Sequence, residues 1–206
     1  MSGVTPESRF SNRAMALREV EILRALLDIF AERGCFATNL DAVATAVGIG
    51  KGSIYRHFES RDALFRAALE YGAAGLVARC RQIWDADPGA LPAARLLAVV
   101  TELVALNERS DPQAPNTLLR LSCSNQWTPS GDVPGTLAAA FVPLVQEWQR
   151  AELCDPAEDP HWIGVVLLGL VSALPLTHKP GTERPEPLAA RLVTLLRRAF
   201  LPPTSV

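Results

Sequence analysis

The sequence predicts an all-α protein: an N-terminal three-helix helix-turn-helix unit followed by a larger helical unit. Three observations carry that prediction. Leu and Ala dominate a chain in which 49% of residues are hydrophobic and 20% charged, the composition of a packed globular protein. Apolar residues recur at spacings of three and four, whereas β-branched and aromatic residues nowhere alternate with polar ones over a useful length. Finally, two short helical patterns near the amino terminus are separated by Gly48-Ile49-Gly50 alone, a tight-turn signal because glycine accepts backbone angles that other residues disfavour.

In chain order, Leu17, Val20, Leu23, Leu27 and Phe30 form an apolar stripe that predicts a helix over Asn12 to Arg33, with Gly34 placed to close it. Asn39 suits the N-cap of a short helix over Leu40 to Val47, and a second short helix covers Lys51 to His57. Ser60 opens a longer helix to about Trp84, with Asp62 in the first turn, where a carboxylate suits the positive helix end. This element is long enough to connect two domains, expected at residues 1–59 and 60–206. Asp87-Pro88-Gly89 then punctuates the chain, and helical patterns resume over Leu91 to Glu108, Asn116 to Cys123 and Gly135 to Leu153, with a loop at Trp127 to Gly131.

The last two patterns differ in character. His161 to Thr177 is apolar almost all round, which predicts burial on most sides, while Leu188 to Phe200 carries a leucine stripe. Together they suggest an antiparallel pair that meets its counterpart in a second subunit. The homodimer interface would comprise Ile163, Val166, Leu167, Leu170, Leu174, Leu188, Leu192, Leu195 and Leu196. An ordinary monomer core is the alternative.

The net charge of −2 gives no general support to a nucleic-acid partner, and residues 1–70 hold nine basic and nine acidic side chains. Any attraction to DNA must come from local placement. The four cysteines, Cys35, Cys80, Cys123 and Cys154, are widely separated and read as buried free thiols, not as a metal site. No hydrolase elbow, phosphate loop or paired-histidine metal motif is present, and the three histidines lie far apart. No catalytic residues and no cofactor are therefore expected. The most apolar stretch, Trp162 to Leu176, is shorter than the roughly 20 residues that span a bilayer, and Met1 to Asn12 lacks the organisation of a secretory signal. No membrane partner and a cytoplasmic location are the corresponding expectations.

The chemistry concentrates on the second short helix. Lys51, Ser53, Tyr55, Arg56 and His57 supply hydrogen-bond donors there, while Ile54 and Phe58 serve as core anchors. Such an arrangement suits a helix laid in the DNA major groove.

At these residues the chain resembles the tetracycline-repressor (TetR) family. The resemblance rests on Gly34, Ala37-Thr38-Asn39-Leu40, Val43-Ala44, the unbroken run from Val47 to Phe58, and Ser60-Arg61-Asp62-Ala63-Leu64. It covers about Leu17 to Leu69, roughly a quarter of the chain. Three positions depart from the family pattern: Asn39 stands where Ser or Thr is usual, Val47 where Ala is usual, and Gly50 where Ser commonly caps the recognition helix.

The resemblance implies a dimeric, ligand-responsive repressor that binds a palindromic double-stranded operator and is released by a small-molecule effector. Thr38, Tyr55, His57 and Arg61 would touch phosphates, and Lys51, Ser53 and Arg56 would approach base edges, with Asn39 and Gly52 in the same interface. An N-terminal arm through Arg9 and Arg13 is a further option. The effector pocket would lie in the carboxy-terminal part, with Trp84, Trp127, Phe141, Trp148 and Trp162 as walls and Asn125 and Gln126 as polar contacts. Two readings from other classes stay open at this point: a helical protein-interaction module, and a small-molecule-binding protein that does not bind DNA.

Overall fold

A computed structural model describes residues 6–33, 39–121, 133–177 and 185–200. Among these, nine helices and no strands are found: α1 (Pro6–Arg33), α2 (Leu40–Val47), α3 (Lys51–His57), α4 (Arg61–Asp85), α5 (Pro92–Glu108), α6 (Pro115–Arg120), α7 (Val133–Arg150), α8 (Pro160–Thr177) and α9 (Pro185–Phe200).

Helix α1 begins earlier than its apolar stripe suggests. Leu17 is 60% exposed, so the stripe takes hold only further along, where Ile22, Leu23, Leu26, Leu27, Ile29 and Phe30 are buried. That buried band is two rows wide because α1 packs on α2, α3 and α4 at once. Local caps fix α2. The Asn39 side-chain oxygen accepts from the Ala42 amide at 2.7 Å, and Gly48 ends the helix in the left-handed region at φ 71°. Its amide donates to the Thr45 carbonyl at 3.1 Å while that of Ile49 reaches the Ala44 carbonyl at 2.9 Å. This is the Schellman arrangement, which glycine adopts without steric strain. Ser60 caps α4 in turn, accepting from the Ala63 amide at 3.1 Å.

Helix α4 lies against α1 on one side and against α5, α6 and α7 on the other. Arg24 Nε donates to the Tyr71 hydroxyl at 2.7 Å, joining α1 to α4. Arg79 pairs with Glu102 of α5 at 2.6 Å and Arg81 with Glu147 of α7 at 2.7 Å. Arg95 closes the far end of α4, its guanidinium 4.0 Å above the Trp84 ring and its Nε donating to the Trp84 carbonyl at 2.7 Å. Buried side chains from Ile22 to Leu196 form one continuous core.

The carboxy-terminal helices depart from the sequence expectation. Helix α8 packs chiefly on α7 and α9 on α5, with little contact between α8 and α9. Gly164 permits the close approach of α7, since a Cβ there would sit 3.3 Å from the Ala138 carbonyl oxygen. Helix α8 keeps one open face, where Trp162, Gly169, Leu170 and Ala173 are exposed, and is buried or half-buried at its other described positions. Of the residues expected between subunits, Ile163, Leu167, Leu188, Leu192 and Leu196 are buried within the chain itself. They are spent on the chain's own core because α7 and α5 already cover them. Trp162, Leu170 and Leu195, at 53%, 37% and 55% exposure, remain on the outside, with Val166 half-buried.

Inside α8, Pro175 has no amide hydrogen to give the Val171 carbonyl four residues back. Asn107 of α5 supplies the missing donor through Nδ2 at 2.9 Å, while its Oδ1 accepts the Asn116 amide in the first turn of α6 at 3.0 Å. One buried side chain thus satisfies two backbone groups that their own helices cannot serve. Cys80 and Cys154 are buried free thiols, pushed up to about 12 and about 11 by burial, and inert as nucleophiles for that reason. Cys35 and Cys123 lie outside the described residues.

Asp28 of α1 carries a raised pKa, first because burial penalises its charge and then because Glu32 and Asp111 repel it, against the opposing pull of Arg24. A carboxyl with a raised folded-state pKa binds protons more readily folded than unfolded, so it costs stability as pH rises through the usual carboxylate range. Asp28→Asn should therefore raise the urea midpoint at neutral pH, and the gain should shrink as pH falls to about 4.

Candidate nucleic-acid interface

Helix α3 is seven residues long. Ile54, 1% exposed, is its buried side chain, and Phe58, 8% exposed, follows as its C-cap and as a second anchor. At about 100° per residue, the exposed residues Lys51, Gly52, Tyr55 and Arg56 share a single arc away from Ile54. Burial of one side thus determines which side faces solvent.

Several of these groups are already held in place. Lys51 Nζ donates to Asp41 Oδ2 of α2 at 2.9 Å. Arg56 donates from a terminal guanidinium nitrogen to the Ser53 hydroxyl at 3.0 Å, one turn back on the same helix. Tyr55 leaves 47% of its surface exposed. Gly50 caps α3 with no side-chain hydrogen bond, its carbonyl accepting from the Ser53 amide at 2.8 Å.

His57 is placed differently from its neighbours. Its side chain is 11% exposed and its Nδ1 lies 3.5 Å from Glu19 Oε1 on α1, so the ring belongs to the seam between α3 and α1. Arg61, in the first turn of α4, has its guanidinium 5.3 Å over the Phe65 ring. Asn39 commits its side-chain oxygen to capping α2. Thr38 lies outside the described residues, and the side chains of Arg9 and Arg13 are likewise not described. Sequence reasoning missed the Asp41 partner of Lys51; an acid in the first turn of α2 is a common helix-end feature, and no local signal marks it as paired ten residues ahead.

The residues expected around an effector divide in two. Trp84 and Trp148 pack with ring centroids 6.3 Å apart, and both are buried, as is Phe141. Trp162 faces outward on α8. The structure therefore does not bring Trp162 together with the other three. Asn125, Gln126 and Trp127 lie outside the described residues. The Trp148 indole nitrogen is buried without a hydrogen-bond partner among the described residues.

Residues 22–68, which hold all of α2 and α3, match the family of bacterial regulatory proteins described as the tetR family. These residues form a TetR-type helix-turn-helix domain. It is 37% identical over 54 residues to the HTH-type transcriptional regulator YerO of Bacillus subtilis (strain 168), covering 26% of this chain and 19% of that one. It is 26% identical over 165 residues to the HTH-type transcriptional regulator RutR of Escherichia coli (strain K12), covering 75% and 73%. The crystal structure of a transcriptional regulator from Rhodococcus sp. Rha1 superimposes with a TM-score of 0.64 at 20% identity, over 90% of this chain and 99% of that one. The match spans less than half the length of YerO and of several other relatives. The architecture is that of TetR-type structures, a helix-turn-helix domain followed by a larger helical domain.

The departure at Gly50 has a measurable consequence. Its φ of −75° and ψ of 148° suit any residue, and a Cβ there meets nothing within 4 Å. Gly50→Ser should supply the missing cap and stabilise the protein by a few tenths to about 1 kcal/mol in urea denaturation.

Proposed function

We propose that the protein is a ligand-responsive repressor that binds a palindromic operator as a homodimer. The observation that carries this reading is the exposed arc of α3, where Lys51, Gly52, Tyr55 and Arg56 are open to solvent while Ile54 is buried. Residues 1–59 form the DNA-reading unit and residues 60–206 the regulatory and dimerisation unit. Lys51, Ser53 and Arg56 approach base edges. Thr38, Tyr55, His57 and Arg61 lie along the phosphates, flanked by Asn39 and Gly52. For His57 this requires the ring to present Nε2, since Nδ1 is turned toward Glu19.

Two such heads read successive major-groove faces about 34–36 Å apart. The second subunit covers the apolar face of α8 and α9, where Trp162, Leu170 and Leu195 are exposed. A small-molecule effector binds in the regulatory unit near Trp84, Phe141 and Trp148. Support for that location comes from the buried Trp148 indole N–H, because leaving a buried donor unpaired costs about 1–3 kcal/mol that an effector's acceptor would recover. Coupling of about 1–3 kcal/mol between effector and operator suffices for regulation. No helix among the described residues is long and apolar enough to cross a membrane, in keeping with a cytoplasmic site of action.

An electrophoretic shift assay on DNA upstream of the protein's own gene, repeated across salt concentrations, tests the reading. Binding that weakens steeply with salt is expected, and absence of binding would sink it. Arg61→Ala should weaken all sequences alike, whereas Lys51→Ala or Ser53→Ala should relax preference at particular bases. Uniform loss from all three would overturn these roles. Leu195→Glu should shift the protein toward monomer in size-exclusion chromatography and weaken operator binding; a retained dimer would place the interface elsewhere.

A further inference from the structure

The recognition helix carries an acid at its side that the DNA-reading role does not itself require. Asp41 sits in the first turn of α2, where the helix end favours a negative charge, and its carboxylate holds the Lys51 ammonium at 2.9 Å across the Gly48 turn. Its backbone carbonyl is engaged separately, accepting the Thr45 hydroxyl at 2.8 Å. The pair therefore joins two helices whose relation the Schellman turn fixes, and the ammonium is held over the start of α3.

We propose that Asp41 is a positioning residue that sets DNA specificity: it occupies Lys51 against phosphates and leaves it able to contact the correct base pair. The inference rests on the DNA-reading role of α3. On random sequence, a phosphate must displace the carboxylate to reach Lys51, and the carboxylate itself repels the backbone. At a G·C pair the two side chains need not part company, because guanine O6 and N7 accept from a lysine while the cytosine amino group donates to a carboxylate. Both side chains are about half exposed or more, at 51% and 65%. An exposed ion pair of this kind is weak enough to be exchanged on contact. Asp41 thus lowers non-specific affinity more than operator affinity.

The test compares wild type, Asp41→Asn, Lys51→Gln and the double variant by fluorescence anisotropy. The full chain is titrated onto a random-sequence duplex and onto the duplex that wild type enriches from a randomised pool. Asp41→Asn should bind random duplex about two- to fivefold tighter, with a salt slope steeper by about one as Lys51 gains a phosphate. Discrimination in favour of the enriched duplex should fall at least as much. In the Lys51→Gln background the same substitution should bring no gain. Thermal unfolding verifies that each variant is folded, and Asp41→Ser, with the same expectation, replaces Asp41→Asn should the latter unfold early. Unchanged binding by Asp41→Asn overturns the inference, as does an equal gain without Lys51, which would mark a diffuse charge effect. Wild type binding neither duplex would instead overturn the DNA-reading role, and this inference with it.

Discussion

A helix of seven residues cannot hold itself together in water, because the cost of its first turn is not recovered over so few hydrogen bonds. Helix α3 exists because Ile54 and Phe58 are buried beneath it. Fully burying such side chains contributes about 1.5–3 kcal/mol each, and this same burial determines that Lys51, Tyr55 and Arg56 face outward. The angle at which they do so follows from the turn before them. With Gly48 at φ 71° and the Ile49 amide bonded to Ala44, the end of α2 and the start of α3 have one arrangement. A helix-turn-helix is therefore a packing solution first, and its polar face is what the packing leaves over.

The consequence extends beyond the first three helices. Phe58 closes α3 and Ser60 caps α4 two residues later, so the orientation of α3 is passed to a 25-residue element with almost no slack. Buried residues run along α4 from Leu64 to Trp84, and its contacts extend from α1 to α7. The ion pairs along it, Arg79 with Glu102 and Arg81 with Glu147, are part-exposed and worth at most about 1 kcal/mol each. They align helices that the core holds together. Any rearrangement among α5, α6 and α7 meets the same helix that positions the exposed face of α3.

Where local signals decide, the sequence was legible. Helices α2 and α3 fall at the predicted residues because Asn39 and Gly48 act through their immediate neighbours, and Ser60 sets the start of α4 in the same way. What depends on partners far along the chain was not legible. Nothing near Leu17 says that α1 outruns its cover, and nothing in the leucine stripe of α9 distinguishes α5 from a second subunit as the surface it meets. The polar contacts of the candidate interface show the same divide. Donors on α3 were readable from type and spacing, but the pairing of Lys51 with Asp41 and the turning of His57 toward Glu19 require the helices to be assembled.

Pro175 shows how such long-range dependence works. Read locally, a proline four residues after Val171 leaves a carbonyl without its helical donor, a reason to end the helix. The backbone nonetheless stays helical to Thr177, because Asn107, 64 residues earlier than Val171, reaches that carbonyl and serves an α6 amide as well. With Thr117, Asn107 is one of the two buried polar side chains identified in the core, and both its Nδ2 and its Oδ1 are engaged. The Trp148 indole N–H, equally buried, has no such commitment among the described residues. A core that engages both polar atoms of Asn107 and gives the Trp148 indole N–H no partner among the described residues is asymmetric in its polar demands. A polar ligand gains most where a donor is waiting, which is why the proposed effector site is set beside Trp148, whose ring packs on Trp84 of α4, and not beside Asn107.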